Sequence, residues 1–466
     1  MSATVRIERD SMGEMPVPAD AYYGAQTARA LATFHISDAR LSRRFLAALG
    51  YVKAAAARAN MALGLLAERP GKAIEQAALE VAEGRLDDQF VLDVFQTGSG
   101  TSTNMNANEV IANRAIELLG GTRGDHALVH PNDHVNMGQS TNDVFPTALH
   151  VAALCAVETH LLPAMRELAE AFEHKAREFA GVVKAARTHL QDAVPITLGQ
   201  EFGGYASVIR HDIARVEHTR PHLAELAIGA TAVGTGLNAP PDFGARVVAE
   251  LRATTRQMFR RAENPFEALQ NRDAAVELSG ALRVLAVGLM KIANDLRLLA
   301  SGPHAGLNEI ALPELQPGSS IMPGKVNPVV PEAVNMVAAQ VIGYDAAIAA
   351  AGVNGSLDLN VMMPVIAYDL LASIEILGNA CRVLAESCVR GLTANRDRCR
   401  MYAEQSGAVV TALAPAIGYD AAARIFKDSL ARGVSIRQAI LDAGVLPPER
   451  LDAVLDLLKL TRGGRA

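Results

Sequence analysis

Tryptophan is absent from this 466-residue chain, and aromatic residues together make up only 4% of it. Half of the residues are nonetheless hydrophobic, so the apolar part is aliphatic. Ala and Leu are good helix formers because they lose little side-chain entropy in a helix and carry no polar atom into a core. This composition therefore favours a helical protein, and its high apolar content argues against intrinsic disorder.

Charge is also scarce, since Asp, Glu, Lys and Arg make up 20% of the residues, against about 25% in typical soluble domains. The 44 basic and 50 acidic residues leave a net charge of -6. Because phosphate binding needs a basic surplus, nucleic acid is not expected as a partner. We expect so apolar a chain to cover part of its surface in subunit interfaces.

Cysteine is limited to four residues, none of them in a CxxC pair, and no His pair has zinc spacing. We therefore expect reduced thiols, no metal and a cytoplasmic protein. The first 24 residues contain no apolar segment typical of a signal peptide. The apolar stretch of residues 278–300 is interrupted by charged side chains, so we expect no membrane span.

The hydrophobic pattern predicts three helical domains. Short helices and turns fill residues 1–143, long amphipathic runs fill residues 144–394, and short helices return in residues 395–466. The long runs are typical of antiparallel helices in an elongated bundle. Pro163 is expected to kink the first run without ending it. The runs are expected at residues 145–180, 196–226, 240–259, 273–301, 332–351 and 364–394.

Polar residues are concentrated in loops, where binding and catalytic residues are often found. The first dense set lies in residues 97–104 and 130–143, which place hydroxyls and amides just before helices. Unpaired N–H groups and the macrodipole make a helix N-terminus a good carboxylate site. The alternative is that these side chains only cap helices and shape turns.

A second segment, residues 186–201, carries His189 between Thr188 and Gln191 just before a predicted helix. A lone histidine in such a place is a structural residue more often than a catalytic one. A carboxylate partner for the imidazole would favour the catalytic interpretation.

A third segment, residues 316–328, combines Pro and Gly with two serines, Lys325 and Asn327. The glycines indicate a loop that moves and closes. In an extended backbone Lys325 and Asn327 point the same way, and a cation beside an amide suits a carboxylate. The alternative is a surface turn with a solvated lysine.

The three segments share an excess of carboxylate-binding groups, without a phosphate-binding glycine loop or a glycosidase-like acid pair. We therefore expect a small dicarboxylate substrate and no cofactor. Chemistry on such a molecule would be proton removal next to a carboxylate and then loss of a leaving group, which needs a base and an anion hole. Ser319 is a candidate base if N–H donors and Lys325 stabilise its alkoxide.

The segment GSSIMPGKVNP, residues 318–328, resembles the signature loop of the fumarase/aspartase superfamily. Further segments match the same superfamily in order across essentially the whole chain: SGTSTNMNANEV, HVNMGQSTND, THLQDAVPITLGQEF, GATAVGTGLN and KIANDLRLLASGP. The resemblance implies an all-α fold with a central five-helix bundle. It also implies a homotetramer with a twenty-helix core, whose active sites each collect loops from three subunits.

The resemblance also implies roles for individual residues. Ser319 would be the base that takes the C3 proton, and Glu332 would be the carboxylate partner of the catalytic His189. The hydroxyls of the first set would hold one carboxylate and its aci-carboxylate form, and the third segment would hold the other. The implied substrate-binding residues are Ser99, Thr101, Ser140, Thr141, Asn142, Thr188, Lys325 and Asn327. Asn142, Thr188 and His189 would face the leaving group.

A second dicarboxylate-binding site is also implied, because His130, Asn132 and Asp133 resemble the one described in class II fumarases.

The activity within the superfamily depends on a mosaic of segments. Residues 328–332, Pro-Val-Val-Pro-Glu, resemble aspartate ammonia-lyases, whereas residues 263–282 resemble fumarases. Because the former adjoin the substrate loop, we expect reversible elimination of ammonia from L-aspartate to give fumarate. The alternative is hydration of fumarate to L-malate. A catalytically silent scaffold, as in lens proteins of this superfamily, is disfavoured because the motif residues are retained.

Overall fold

A computed structural model describes residues 4–464. These residues form eighteen α-helices: α1 Ala25–Thr33, α2 Arg43–Ala62, α3 Glu68–Ala82, α4 Thr101–Leu118, α5 Thr141–Ala156, α6 Leu162–Glu178, α7 Leu198–Leu223, α8 Phe243–Thr255, α9 Glu267–Gln270, α10 Asp273–Leu299, α11 Val329–Val353, α12 Met363–Leu384, α13 Arg396–Gln405, α14 Ala414–Ile417, α15 Tyr419–Arg432, α16 Ile436–Ala443, α17 Pro448–Val454 and α18 Leu457–Leu460. The expected all-α fold is confirmed.

Ten short strands accompany the helices within residues 4–464. They are β1 Val5–Asp10, β2 Gly13–Pro18, β3 Val183–Thr188, β4 Gln191–Thr197, β5 Glu225–Leu226, β6 Arg260–Arg261, β7 Ile310–Ala311, β8 Gly355–Ser356, β9 Leu359–Asn360 and β10 Thr393–Ala394. They form two-stranded pairs: β1–β2, β3–β4, β5–β6, β7–β10 and β8–β9. The two longer hairpins, β1–β2 and β3–β4, were not among the sequence expectations.

Every long run expected from the sequence contains a helix. In the first run, α5 and α6 are joined by a wider helical turn, Val157–Leu161. Pro163 is the second residue of α6, and the helix continues to Glu178. Proline has no N–H to donate, and its ring crowds the preceding turn of a helix. The widened turn relieves this crowding, so the helix continues past Pro163.

The described chain separates into two compact units. The first contains the residues up to Pro163, Ala214–Ala286 and Ala339–Gly378, and the second contains Ala164–Ile213, Val287–Ala338 and the residues from Asn379 onward. The expected division into domains of residues 1–143, 144–394 and 395–466 stays a prediction.

Helix α2 lies in the core of the first unit and packs against α3, α5 and α8. Its central residues Ala54–Ala57 are buried. At Gly50 an added Cβ would lie 2.7 Å from the Ala78 carbonyl oxygen of α3. The small side chains therefore allow α2 and α3 to approach closely, which explains why an aliphatic core here is rich in alanine.

Helix α4 is buried around most of its circumference although it carries many polar residues. The Glu109 carboxylate accepts hydrogen bonds from the backbone N–H groups of Gly24 (2.9 Å), Gln26 (2.8 Å) and Thr27 (3.1 Å). It thus caps the N-terminus of α1, whose first N–H groups have no partner within their own helix.

In the second unit, the β3–β4 hairpin packs against α13. Toward the C-terminus a separate apolar cluster forms around Leu413, Ile425, Ile440 and Leu451. This cluster supplies the short C-terminal helices with a core of their own.

In the described part of the chain, three helical stretches are long and apolar enough to cross a membrane by length and composition: Thr141–Glu178, α11, and Met363–Val389. The apolar window is 72% buried in the first and 67% buried in the last, but only 28% buried in α11. The two mostly buried stretches are core helices. Helix α11 instead presents apolar side chains on the surface of the chain, among them Met336 and Val353.

Glycine is required at the start of α4. Gly100 has φ +80°, and an added Cβ would lie 2.1 Å from the Phe145 ring. Gly120, just beyond the other end of α4, has φ +86° with nothing within 4 Å of an added Cβ. The two glycines therefore share the left-handed backbone but differ in packing.

We expect Gly100→Ala to lower the free energy of unfolding by about 3 kcal/mol, because it adds a clash with Phe145 to the backbone strain. Gly120→Ala, the matched control, adds strain alone and should cost about 1 kcal/mol. Urea denaturation of both variants measures the difference. Equal losses would show that Phe145 moves aside freely.

Candidate active site

In the first unit, a buried carboxylate gathers two loops. Asp143 is fully buried in the first turn of α5, and its carboxylate accepts N–H groups from Ser140 (2.9 Å), Gly229 (3.0 Å) and Thr231 (2.8 Å). Burial raises the pKa of Asp143 to about 7, and the three N–H donors oppose that rise. Ser140 and Asp143 also form a capping box, which sets where α5 begins.

Lys53, on α2, donates hydrogen bonds to the loop that leads to Ser140. Its side chain is fully buried, and Nζ donates to Asn136 Oδ1 and Gln139 Oε1, each at 3.0 Å. Burial lowers the pKa of Lys53 to about 7, and the charge of Asp143 opposes this effect. Lys53 was not among the residues expected from the sequence, although a single charge inside the apolar run YVKAAAA was a usable signal.

The candidate hydroxyls of the first set lie at two neighbouring helix N-termini. Thr101 begins α4 and Thr141 begins α5. Asn104, one turn into α4, donates a hydrogen bond from Nδ2 to Thr141 Oγ1 at 2.9 Å. Ser99 Oγ lies 2.8 Å from Thr101 Oγ1. The arrangement presents hydroxyls and helix N-termini together, which is a favourable environment for a carboxylate.

Asn142 is oriented by the loop that also binds Asp143. Its Nδ2 donates to the Ala232 carbonyl oxygen at 2.7 Å. The amide nitrogen is thus engaged, and the amide oxygen is left to accept a hydrogen bond from a ligand.

The implied second-site residues lie within a single turn. His130 Nδ1 accepts the backbone N–H groups of Asn132 (3.2 Å) and Asp133 (3.1 Å). Both of those residues are exposed. The structure therefore brings all three together, with His130 Nδ1 acting as the acceptor that shapes the turn.

In the second unit, Thr188 and His189 lie at the exposed tip of the β3–β4 hairpin. His189 (φ 56°) and Leu190 (φ 59°) form its two-residue turn, and both have left-handed backbone. This turn matches the twist of the strands but normally uses Asn or Gly. A β-carbon in that conformation costs about 1 kcal/mol, and strain of this kind is often found at functional residues.

A buried ionic cluster holds strand β3 of this hairpin. Glu309 is fully buried, and its carboxylate oxygens lie 3.0 Å from Arg187 Nη1. Lys184 Nζ lies 2.9 Å from Glu309 and 2.6 Å from Glu201. Because Arg187 immediately precedes Thr188, the cluster fixes the strand that presents Thr188 and His189. None of these charged residues was selected from the sequence.

The candidate base lies in the loop between β7 and α11. Ser319 Oγ accepts the backbone N–H groups of Ile321 (3.3 Å) and Met322 (3.0 Å). Two N–H donors aimed at a hydroxyl oxygen lower the cost of charging it.

The same loop forms a cavity of about 460 Å³ lined by Ser319 and Lys325 among others. The Gly318 N–H donates to the Lys325 carbonyl at 2.8 Å, and the Asn327 side-chain amide donates to the Gly318 carbonyl. The two ends of the loop are thus tied together, with Ser319 and Lys325 facing a common space.

Glu332 lies in the first turn of α11. Within residues 4–464, no hydrogen bond or ion pair joins His189 to Glu332 or to Ser319. The His189–Glu332 pairing implied by the resemblance stays a prediction. Among the same residues, no group of three or more His, Cys, Asp or Glu side chains is placed to hold a metal ion.

Comparison with known families and proteins identifies relatives along the whole chain. The family described as Lyase matches residues 13–343, and the family described as Fumarase C C-terminus matches residues 409–462. A protein named fumarate hydratase class II from Mycobacterium tuberculosis is 55% identical over 466 residues, covering 99% of this chain and 97% of the relative. An aspartate ammonia-lyase from Bacillus subtilis is 50% identical over 461 residues, with the same coverage of both.

The fold has a close match among solved structures. The crystal structure of recombinant class II fumarase from Schistosoma mansoni superimposes with a TM-score of 0.96 at 39% identity, covering 98% of this chain and 99% of that one. Family match, identity and fold agree over nearly the full length, and the chain therefore belongs to the fumarase/aspartase superfamily of lyases.

Proposed function

We propose that this lyase interconverts L-malate and fumarate. The observation that carries the proposal is the 55% identity, over nearly the full length of both chains, to a protein named fumarate hydratase class II. The fumarase-like residues 263–282 support it. The proposal reverses the preference drawn from the signature loop alone.

Deamination of L-aspartate is the second candidate. The run Pro328–Glu332 and the 50% identity to an aspartate ammonia-lyase favour it. Both reactions pass through the same carbanion chemistry and differ in the leaving group on C2, water or ammonia.

Ser319 is proposed as the base. Its hydroxyl oxygen, once charged, would be stabilised by the N–H groups of Ile321 and Met322 and by the Lys325 ammonium. The alkoxide would take the C3 proton of L-malate, and the C3–H electron pair would move into the adjacent carboxylate to give an aci-carboxylate. Lys325 and Asn327 would hold the other carboxylate.

The hydroxyls of Thr101, Ser140 and Thr141 are proposed to hold the carboxylate that becomes the aci-carboxylate. Its extra negative charge strengthens hydrogen bonds from these donors and from the N-termini of α4 and α5, so they favour the intermediate over the ground state. Collapse of the aci-carboxylate then breaks the C2–O bond, and hydroxide takes a proton and leaves as water. Asn142, Thr188 and His189 are proposed to face this leaving group.

A homotetramer is proposed as the working unit. The exposed side chains of Met336, Ile342 and Val353 give α11 an apolar surface in the single chain. Contiguous apolar surface on a soluble protein commonly marks an interface. In such an assembly, loops of three subunits would complete each active site.

The two candidate reactions are separated by one assay. We expect fumarate to form at least about tenfold faster, by kcat/KM, from L-malate than from L-aspartate, since a site fitted to one leaving group discriminates against another. The ultraviolet absorbance of fumarate measures both directly. A faster reaction with L-aspartate would overturn the fumarase proposal in favour of the second candidate.

Ser319→Ala tests the base. We expect kcat to fall by about 10²–10⁴, the usual contribution of proton transfer, with little change in KM. Ser320→Ala, in the neighbouring exposed position of the same loop, serves as the control and should keep near-normal kcat. An active Ser319→Ala enzyme would exclude this residue as the base.

Lys53→Met tests how the buried lysine positions the protein hydroxyls that are proposed to bind the substrate. The change keeps the volume but leaves Asn136 and Gln139 without their shared donor, so the loop leading to Ser140 and Thr141 loses its support. We expect kcat/KM to fall by about tenfold or more, mainly through a lower kcat, because these hydroxyls favour the intermediate over the ground state. Lys72→Met, an exposed position on α3, should have normal kinetics. Unchanged kcat in a folded Lys53→Met enzyme would contradict this role.

A further inference from the structure

A second cavity in the first unit lies apart from the candidate substrate-binding residues. It has a volume of about 360 Å³, within the usual range for small-ligand pockets. Helix α5 contributes Pro146 and His150, and the segment around α9 and the start of α10 contributes most of the rest. Neither Thr101 nor Thr141 lines it.

Arg272 is the unusual member of this cavity. Its side chain is only 2% exposed, and its Nε has no hydrogen-bond partner. One guanidinium nitrogen donates to the Ala268 carbonyl oxygen. Within the described part of the chain, no carboxylate lies within ion-pair distance of Arg272. Burial lowers the pKa of Arg272 to about 10, and the charges of Glu267 and Asp273 oppose that effect without an ion pair. A carboxylate bound directly to the guanidinium would therefore relieve a remaining penalty.

The cavity also carries carboxylates of its own. Glu225 is paired with Arg260 at 2.7 Å, and Glu277 with His222 at 2.6 Å. Across residues 4–464, Glu267 and Asp273 have no such partner. Partial desolvation, with the nearby charge of Asp273 second, raises the pKa of Glu267, and the charge of Arg272 opposes the rise. These groups favour a positive charge in the cavity.

His150 adds no positive charge at neutral pH. Its ring lies 2.7 Å from the Glu225 carbonyl oxygen, and burial lowers the pKa of His150 to about 4. The cavity therefore offers one unpaired buried cation and two unpaired acids, with Pro146, Ala227, Ala268 and Ala274 as apolar wall.

We propose that this cavity binds a small aliphatic zwitterion, whose carboxylate pairs with Arg272 and whose ammonium pairs with Glu267 and Asp273. A carboxylate alone would meet the two acids, and an amine alone would meet Arg272. Only a ligand with both charges complements both sets.

Four five-carbon compounds test the charge pattern: L-norvaline and 5-aminovalerate, which carry both charges at different spacing, and valerate and pentylamine, which carry one each. Isothermal titration calorimetry on the full-length protein in its native assembly measures each affinity. We expect at least one zwitterion to bind about tenfold or more tightly than either singly charged compound. Valerate and pentylamine can each make only one of the two ionic contacts and leave the other charged group in the cavity without a partner.

Variants assign the contacts. Glu267→Gln, at an exposed position that leaves the fold intact, should weaken the zwitterion severalfold without weakening valerate. Arg272→Met should abolish zwitterion binding, and a thermal scan checks that this variant is folded. Arg246→Met, an exposed arginine of α8 outside the cavity, is the control and should bind normally.

Two results would overturn the proposal. The first is the absence of saturable binding by both zwitterions to the unmodified protein. The second is binding that Glu267→Gln leaves unchanged, because binding of that kind occurs elsewhere. Neither result bears on the proposed lyase activity, which is measured separately with L-malate.

Discussion

The buried carboxylate of Asp143 is the constraint on which the first unit's part of the site depends. It satisfies three backbone N–H groups from two loops that are distant in sequence. Such a group is expensive to desolvate, and only the full set of donors together with nearby Lys53 makes it tolerable. The same cost makes the arrangement specific, because displacement of Ser140 or Thr231 removes one of the three hydrogen bonds to a buried carboxylate. Thr141 and Asn142 are held between these anchors.

In the second unit most of the candidate residues lie in exposed segments, and the groups that hold them lie behind them. Thr188 and His189 are exposed at a hairpin tip, and the Ser319 loop is exposed over most of its length. Their precision comes from anchors behind them, the Glu309 cluster under the hairpin and the hydrogen bonds that close the loop at Gly318. Exposed residues on a rigid support are suited to contact a substrate or another subunit. The apolar surface of α11 would suit contact with another subunit.

Helix positions were predictable because apolar residues recur with the helical period over long stretches, and local propensity agrees with burial. Each expected run contains a helix, and the helix does continue past Pro163. The β3–β4 hairpin was not predicted, since its turn is formed by His189 and Leu190 and no Asn-Gly pair announces it. Arg187 and Glu309 were missed for a related reason. Their importance lies in partners as far as 122 residues away in sequence, which no local pattern reveals.

By itself the sequence determined the all-α class, the superfamily and the identity of the chemical groups, because these follow from composition, periodicity and contiguous motifs. Only the tertiary structure decided how those groups are held. It showed that Ser319 Oγ faces two N–H donors, that α4 and α5 begin side by side, and that His189 sits on left-handed backbone. It also showed that Arg272 is buried and, within residues 4–464, has no carboxylate at ion-pair distance. Each of these features depends on how residues are arranged in space. The free energy of a buried charge or hydrogen bond is set by its surroundings and not by the residue alone.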